Sequence, residues 1–181
     1  MGRDKALLSW QGGTLLDHAL TRLRSSCTAV RILGGSASRY GDRGVPVDLD
    51  AVADAGALGG IFTGLLRMQT GLGLFLAVDM PWAPVTLLRR LLALAEGYDA
   101  VVPVSAAGLE PLCAVYRATC LESVRRRLDA NDLRVVRFLD DVRLREVSGA
   151  ELTAFGDPAT LLRSLNTPAD YAAACGVAEP Y

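Results

Sequence analysis

Apolar residues recur along this chain with two different periods. Leu15, Leu16, Ala19, Leu20 and Leu23 fall at helical spacing, and Thr14 with Asp17 three residues on is a capping-box pattern, so a helix is predicted over about 14–26. Its polar side carries His18, Arg22 and Arg24, which a solvated helix surface accounts for. Residues 29–33 (AVRIL) read as a buried strand ending at Gly34-Gly35, and 45–47 as a short extended stretch. A second helix is predicted over 59–68, with Ile61, Phe62, Leu65 and Leu66 facing inward. The strongest strand signal is 74–78 (LFLAV), which stops at Asp79-Met80-Pro81. A helix over about 84–95 and a strand over 100–104 follow, and a turn at Gly108 leads into 110–116 as a hairpin partner. Helical patterns at 119–129 and 134–140, a strand at 144–147 and short helices punctuated by Pro158 and Pro168 complete the chain.

Strands alternate with helices through the first hundred residues, which predicts an α/β fold with a mostly parallel sheet and helices on both faces. No repeat, low-complexity tract or long linker interrupts the 181 residues, so one domain over 1–181 is expected. Hydrophobic residues make up 51% and charged residues 22%, enough to build a core and to exclude intrinsic disorder. The 19 basic and 20 acidic residues leave a net charge of −1, which argues against a nucleic-acid-binding surface. Arg125, Arg126 and Arg127 are consecutive on a predicted helix and so point in three directions, as on a solvated face. No apolar run reaches the roughly 18 residues a membrane span needs, and the start is not a signal peptide.

Cysteine and histidine usage removes several chemistries. Cys27, Cys113, Cys120 and Cys175 contain no CxxC pair and His18 is the single histidine, so neither a zinc site nor a disulfide framework is expected. A reducing cytoplasm is the expected location. A hydrolytic triad would have to use His18, inside an amphipathic helix, and no G-x-S-x-G elbow occurs. Cys113 in PLCAVY reads as a buried small residue, and Phe62, Phe75 and Phe138 as core.

Three pieces could carry chemistry. In open α/β sheets ligands bind beyond the carboxyl ends of the strands, where Asp79 stands; it could hold a hard cation such as Mg²⁺ or simply cap the helix that begins near Pro84. Asp50 opens a glycine-bearing loop that runs to Gly59-Gly60, which is either a place for close approach of a flat ligand or an ordinary strand-to-helix connection. Lys5, the only lysine among the 19 basic residues, could neutralise a phosphate chain or be a leftover of arginine-rich composition.

Taken together, MG-x-DKALL, D-x(5)-G-x-LGGI, AVDMP, EPLCAVYR and LNTPADY, in this order and spacing, resemble the molybdenum cofactor guanylyltransferases of the nucleotidyltransferase superfamily. The resemblance runs from Met1 to about Ala174. It implies a three-layer Rossmann-like fold and transfer of GMP from GTP to molybdopterin with release of pyrophosphate. It also implies that Asp79 holds Mg²⁺ and acts with Lys5 in catalysis, that Lys5 contacts the GTP phosphates, and that Asp50 contacts the nucleotide. Gly59 and Gly60 would let the nucleotide approach the backbone, and Asn166 would lie on the pterin side. Where the family often has a second asparagine, this chain has Ser164. The implied partners are GTP, molybdopterin and other proteins of the same cofactor's maturation, with neither nucleic acid nor membrane. The alternatives are a cytidylyl-transferring relative using CTP, and a non-catalytic module that binds nucleotide or docks partners.

The family opens with a buried strand and an L-A-G-G-x-S-x-R loop immediately before M-G-x-D-K, whereas this sequence begins at that Met. The expectation is therefore a domain that is N-terminally incomplete relative to the family. A start placed too far downstream or a truncated sequence, a natural form without nucleotide affinity, and replacement by the internal Leu33-Gly34-Gly35-Ser36-Ala37-Ser38-Arg39-Tyr40-Gly41 segment are the three explanations.

Overall fold

The computed structural model describes residues 4–35 and 37–176. A 3-10 turn, Lys5–Leu7, leads into a hairpin of β1 (Ser9–Trp10) and β2 (Gly13–Thr14). Both residues of its two-residue turn have positive φ, 43° at Gln11 and 85° at Gly12. That is the primed-turn geometry that matches strand twist, and the second position needs the glycine.

The first helix, α1 (Leu15–Arg24), starts on the predicted capping box: Thr14 Oγ1 accepts from the Asp17 amide and Asp17 accepts from the Thr14 amide. The strand expected at 29–33 contracts to β3 (Ile32–Leu33). After α2 (Ala37–Tyr40), β4 (Val47–Asp48) pairs with it in parallel. Next comes α3 (Gly56–Arg67), which buries Leu58, Ile61, Phe62 and Leu65 but leaves Leu66 exposed, against expectation. Residues 58, 61, 62 and 65 are one continuous 3-4 stripe, and Leu66 falls off its edge.

A five-stranded sheet forms the centre. It comprises β5 (Leu72–Leu76), β6 (Ala100–Ser105), β7 (Gly108–Leu109), β8 (Cys113–Arg117) and β9 (Leu144–Val147). The strand β8 lies between β5 and β6 and runs antiparallel to both, so β5 and β6 point the same way, and β9 adds to β6 in parallel. The hairpin expected around Gly108 is present as β6–β7, and a turn at 110–113 then lets the chain cross to β8.

The two-residue period of β6 and β8 sorts the core into two layers. Val101, Cys113 and Val115 pack against Leu87, Leu88 and Leu91 of α4 (Val85–Ala93). Ala100, Val102, Ala114 and Tyr116 pack against α3 and α5 (Cys120–Asp129), where Phe75, Tyr116 and Phe138 stack edge to face at 5.3 and 5.5 Å. This is the three-layer α/β arrangement expected. Cross-packing at Gly64 ties the two ladders together: a Cβ there would stand 2.4 Å from Phe75 and 2.9 Å from Leu33.

The C-terminal part, α6 (Ala150–Thr153), α7 (Pro158–Leu161) and α8 (Pro168–Cys175), returns to the N-terminus. Leu165 is buried with Trp10 and Leu15, and Trp82 packs beside them, edge-on to Trp10 at 5.5 Å. Burying a leucine stabilises by about 1.5–3 kcal/mol, and here it docks the chain end beside the loop that follows β5. Among the described residues no helix is long and apolar enough to cross a membrane.

Candidate active site

Asp4 caps the 3-10 turn at the start of the described chain, its Oδ1 accepting from the Ala6 amide at 3.0 Å. The turn projects Lys5 across the sheet. Its Nζ lies 3.1 Å from Asp79 Oδ2 and donates also to Asn166 Oδ1 at 3.4 Å. Lysine, aspartate and asparagine thus meet from three distant parts of the sequence. The Asp79 side chain is 18% exposed and that of Lys5 31%, so the pair is reachable from solvent.

Asp79 does not cap the following helix: the residue at the cap of α4 is Pro84, with no side-chain hydrogen bond. The aspartate belongs to a loop between β5 and α4 that is tied on both sides. The Leu165 amide donates to the Asp79 carbonyl at 2.8 Å, and the neighbouring Asn166 is delivered by the same contact. From the other side Arg22 donates to the carbonyls of Met80 and Ala83, at 2.9 Å each. Arg22 therefore departs from the solvated face expected of it. Helical periodicity carries no signal that separates an arginine reaching under a loop from one facing water.

Three more residues adjoin the group: Arg39 and Tyr40 of the internal glycine-rich segment and Glu110, the first residue of EPLCAVYR. Arg39 and Tyr40 both bond Asp4 Oδ2, Arg39 at 2.9 Å. Burial raises the Asp4 pKa, but these bonds outweigh it and hold the carboxyl below its ordinary value. Glu110 bonds Ser105 Oγ at 2.6 Å; burial, aided by the charge of Asp79, pushes its pKa up against that bond.

Asp50 is exposed two residues beyond β4, close to Gly34: a Cβ on Gly34 would stand 3.6 Å from Asp50 Oδ2. Gly34, Gly35, Lys5 and Val78 line a cleft of about 190 Å³. A second cleft, of about 350 Å³, is lined by Leu7, Leu8, Ser9 and Tyr171, and Asp4 lines both. Gly59 and Gly60 belong to the first turns of α3. Gly59 packs against Ala55, where a Cβ would clash at 2.8 Å, and Gly60 faces open space. Gly59 is thereby required by the fold itself, and only Gly60 has room beside it.

The donor set suits a hard cation. Asp79 Oδ1 has no hydrogen-bond partner among the described residues, and the Asn166 carbonyl oxygen accepts from the same ammonium. Among the described residues no three or more His, Cys, Asp or Glu side chains are grouped so as to hold a metal ion by themselves. One carboxylate with open positions is what Mg²⁺ uses when substrate phosphates complete its coordination.

The model of the MobA-like NTP transferase domain matches residues 1–146. The chain belongs to this family. It is 34% identical over 182 residues to a probable molybdenum cofactor guanylyltransferase from Pelotomaculum thermopropionicum, an alignment that covers 99% of this chain and 87% of the relative. Among solved structures, molybdopterin-guanine dinucleotide biosynthesis protein A from Archaeoglobus fulgidus is similar with a TM-score of 0.82 at 21% identity, covering 96% of this chain and 89% of that one. A Mycobacterium tuberculosis protein solved in complex with manganese has a TM-score of 0.67 at 20% identity, covering 92% of this chain and 88% of its own. In this MobA-like member the matched segment contains Lys5, Asp50, Gly59, Gly60 and Asp79, while Asn166 lies beyond it.

Proposed function

We propose that this protein transfers GMP from GTP to the terminal phosphate of molybdopterin or its molybdenum form, making the guanine dinucleotide cofactor and pyrophosphate. The observation that carries the reading is the meeting of Lys5, Asp79 and Asn166 in one solvent-reachable group. Homology to a probable guanylyltransferase over nearly the whole chain supports the choice of GTP.

The reaction joins a phosphate oxygen of the acceptor to the α-phosphorus of GTP and breaks the α–β bridging bond. Two polyanions must be brought together and the leaving pyrophosphate neutralised, which positioning and fixed charge achieve without a protein nucleophile. Lys5 neutralises the triphosphate as a mobile point charge. Asp79 binds a divalent cation, for which Mg²⁺ is our assignment, and the manganese complex of a structural neighbour supports a divalent site in this fold. When bound, that ion supplies Lewis acidity and a template for the phosphates. Asp50 contacts the nucleotide, Gly60 admits it close to the backbone of α3, and Asn166 orients the pterin side.

On this reading the chain acts as one nucleotidyltransferase domain. It takes its pterin from other proteins of the same maturation route. Four free cysteines suit the reducing cytoplasm. The test is pyrophosphate release with molybdopterin and either GTP or CTP. GTP consumption with formation of the guanine dinucleotide is expected. Consumption of CTP but not GTP makes it a cytidylyltransferase, and release with neither, together with no calorimetric GTP binding, leaves a non-catalytic module.

A further inference from the structure

We infer that Arg22 is a positioning residue for Asp79: from α1, its guanidinium fixes the loop that sets the carboxylate for a metal–triphosphate complex. The inference rests on the reading of Asp79 given above.

Beyond the strand's end at Leu76 the loop keeps one backbone bond to the chain before β8, from the Ala77 amide to Leu112 O at 2.7 Å, and a turn of its own, from the Met80 amide to Ala77 O at 3.3 Å. Two of its carbonyls beyond Asp79 are recruited by one nitrogen: Arg22 Nη1 donates to Met80 O and to Ala83 O, 58 and 61 residues away in sequence. The Nε of the same fork donates to His18 O at 3.1 Å, which fixes the side chain along its own helix. Met80 and Ala83 are 1% and 0% exposed, so without the fork the two carbonyls would be left in an apolar layer short of a donor. Asp79 is thereby held at its own carbonyl by Leu165 and at the next by Arg22. Its carboxylate leaves a backbone with little freedom to turn.

The cost of this arrangement is visible. Arg22 Nη2 is buried without a partner among the described residues, and burial pulls the guanidinium's pKa down. An apolar side chain of similar volume would fill the space without stranding a charged donor. What it could not do is donate from one planar guanidinium to two carbonyls of the loop, those of Met80 and Ala83, and a lysine ammonium on a flexible stem does so less rigidly.

The experiment compares wild type, Arg22→Lys and Asp79→Asn in two measurements that need no turnover. One is Mn²⁺ binding in the presence of GTP by electron paramagnetic resonance; the other is amide hydrogen exchange of residues 77–83. Arg22→Lys is expected to weaken Mn²⁺ about tenfold, as loss of a group that orients a metal ligand does. It should also speed exchange in that segment while β8 stays protected. If Arg22→Lys does not fold, Arg22→Gln is read in the same way. Mn²⁺ affinity within twofold of wild type in the Arg22 variant, with affinity lost in Asp79→Asn, overturns the role of Arg22 alone. Undiminished Mn²⁺ affinity in Asp79→Asn sinks the metal reading, and this inference with it.

Discussion

Lys5 Nζ sits 3.1 Å from Asp79 Oδ2, although 74 residues separate them in the chain. Both partners are half-buried yet reachable from solvent, where an ion pair stabilises a fold by only about 0–1 kcal/mol, so the contact is better understood as part of the site than as part of the scaffold. Lys5→Ala should accordingly leave the melting temperature nearly unchanged while lowering kcat/KM for GTP by about a hundredfold or more, the scale for losing one group that stabilises developing phosphate charge. Lys5→Arg should recover only part of the loss, because a planar fork does not replace a compact ammonium. Steady-state pyrophosphate release beside a thermal melt checks both.

Substitutions at two glycines of α3 distinguish a role in nucleotide binding from one in packing. At Gly60 nothing lies within 4 Å of an added Cβ, and alanine in a helix interior is favoured over glycine by roughly 0.5–1 kcal/mol. Gly60→Ala should therefore melt no lower than wild type yet raise KM for GTP, if the nucleotide approaches there. Gly64→Ala should do the reverse. Its Cβ would press on Phe75 and Leu33, and overpacking of that kind costs about 1–3 kcal/mol. The paired melts and KM values decide.

Acid should weaken the protein through Asp99. Its carboxylate accepts from Arg143 Nε at 2.9 Å and Nη2 at 3.1 Å, from the Arg143 amide at 3.0 Å, and from Thr119 Oγ1 at 2.7 Å. The Arg143 side chain is the main cause holding its pKa well below the ordinary 3.8, against a smaller upward pull from burial. A carboxyl lowered on folding contributes stability that is complete above its unfolded value and is lost as pH falls through and below 3.8. Asp99→Asn should lower the melting temperature by a few degrees at pH 7 and by less at pH 3, a convergence that melts across the pH series would show.

The cysteines should differ sharply in reactivity. Burial pushes the Cys113 and Cys120 thiols up to about 12, so little thiolate exists near pH 8, whereas Cys175 is exposed. Iodoacetamide at that pH should modify Cys175 and spare Cys113 and Cys120 until denaturant is added, as peptide mass mapping would report.

Much of this site was legible from local pattern. The capping box of α1, the stop of an apolar strand at Asp79 and the position of the single lysine are carried by neighbouring residues, and the structure has α1 and the loop where those signals put them. Elsewhere the pattern overreached or was silent. The strand expected at 29–33 keeps only Ile32–Leu33, because Ala29 is exposed and Val30 and Arg31 are only half-buried. The β1–β2 hairpin, hidden in Trp10-Gln11-Gly12-Gly13, carries too few alternating residues to announce itself.

By itself the sequence determined the longer helices α1, α3, α4 and α5, most of their apolar faces, and where the candidate acid and lysine stand, since these follow from spacing over a few residues. Only the tertiary structure decided that β8 runs reversed between β5 and β6, that Leu165 carries Asn166 to Lys5, and that Arg22 reaches under the Asp79 loop. The physical reason is one of range. Periodicity tells a side chain which side of its own element it occupies, but not which distant backbone waits there to accept its hydrogen bonds.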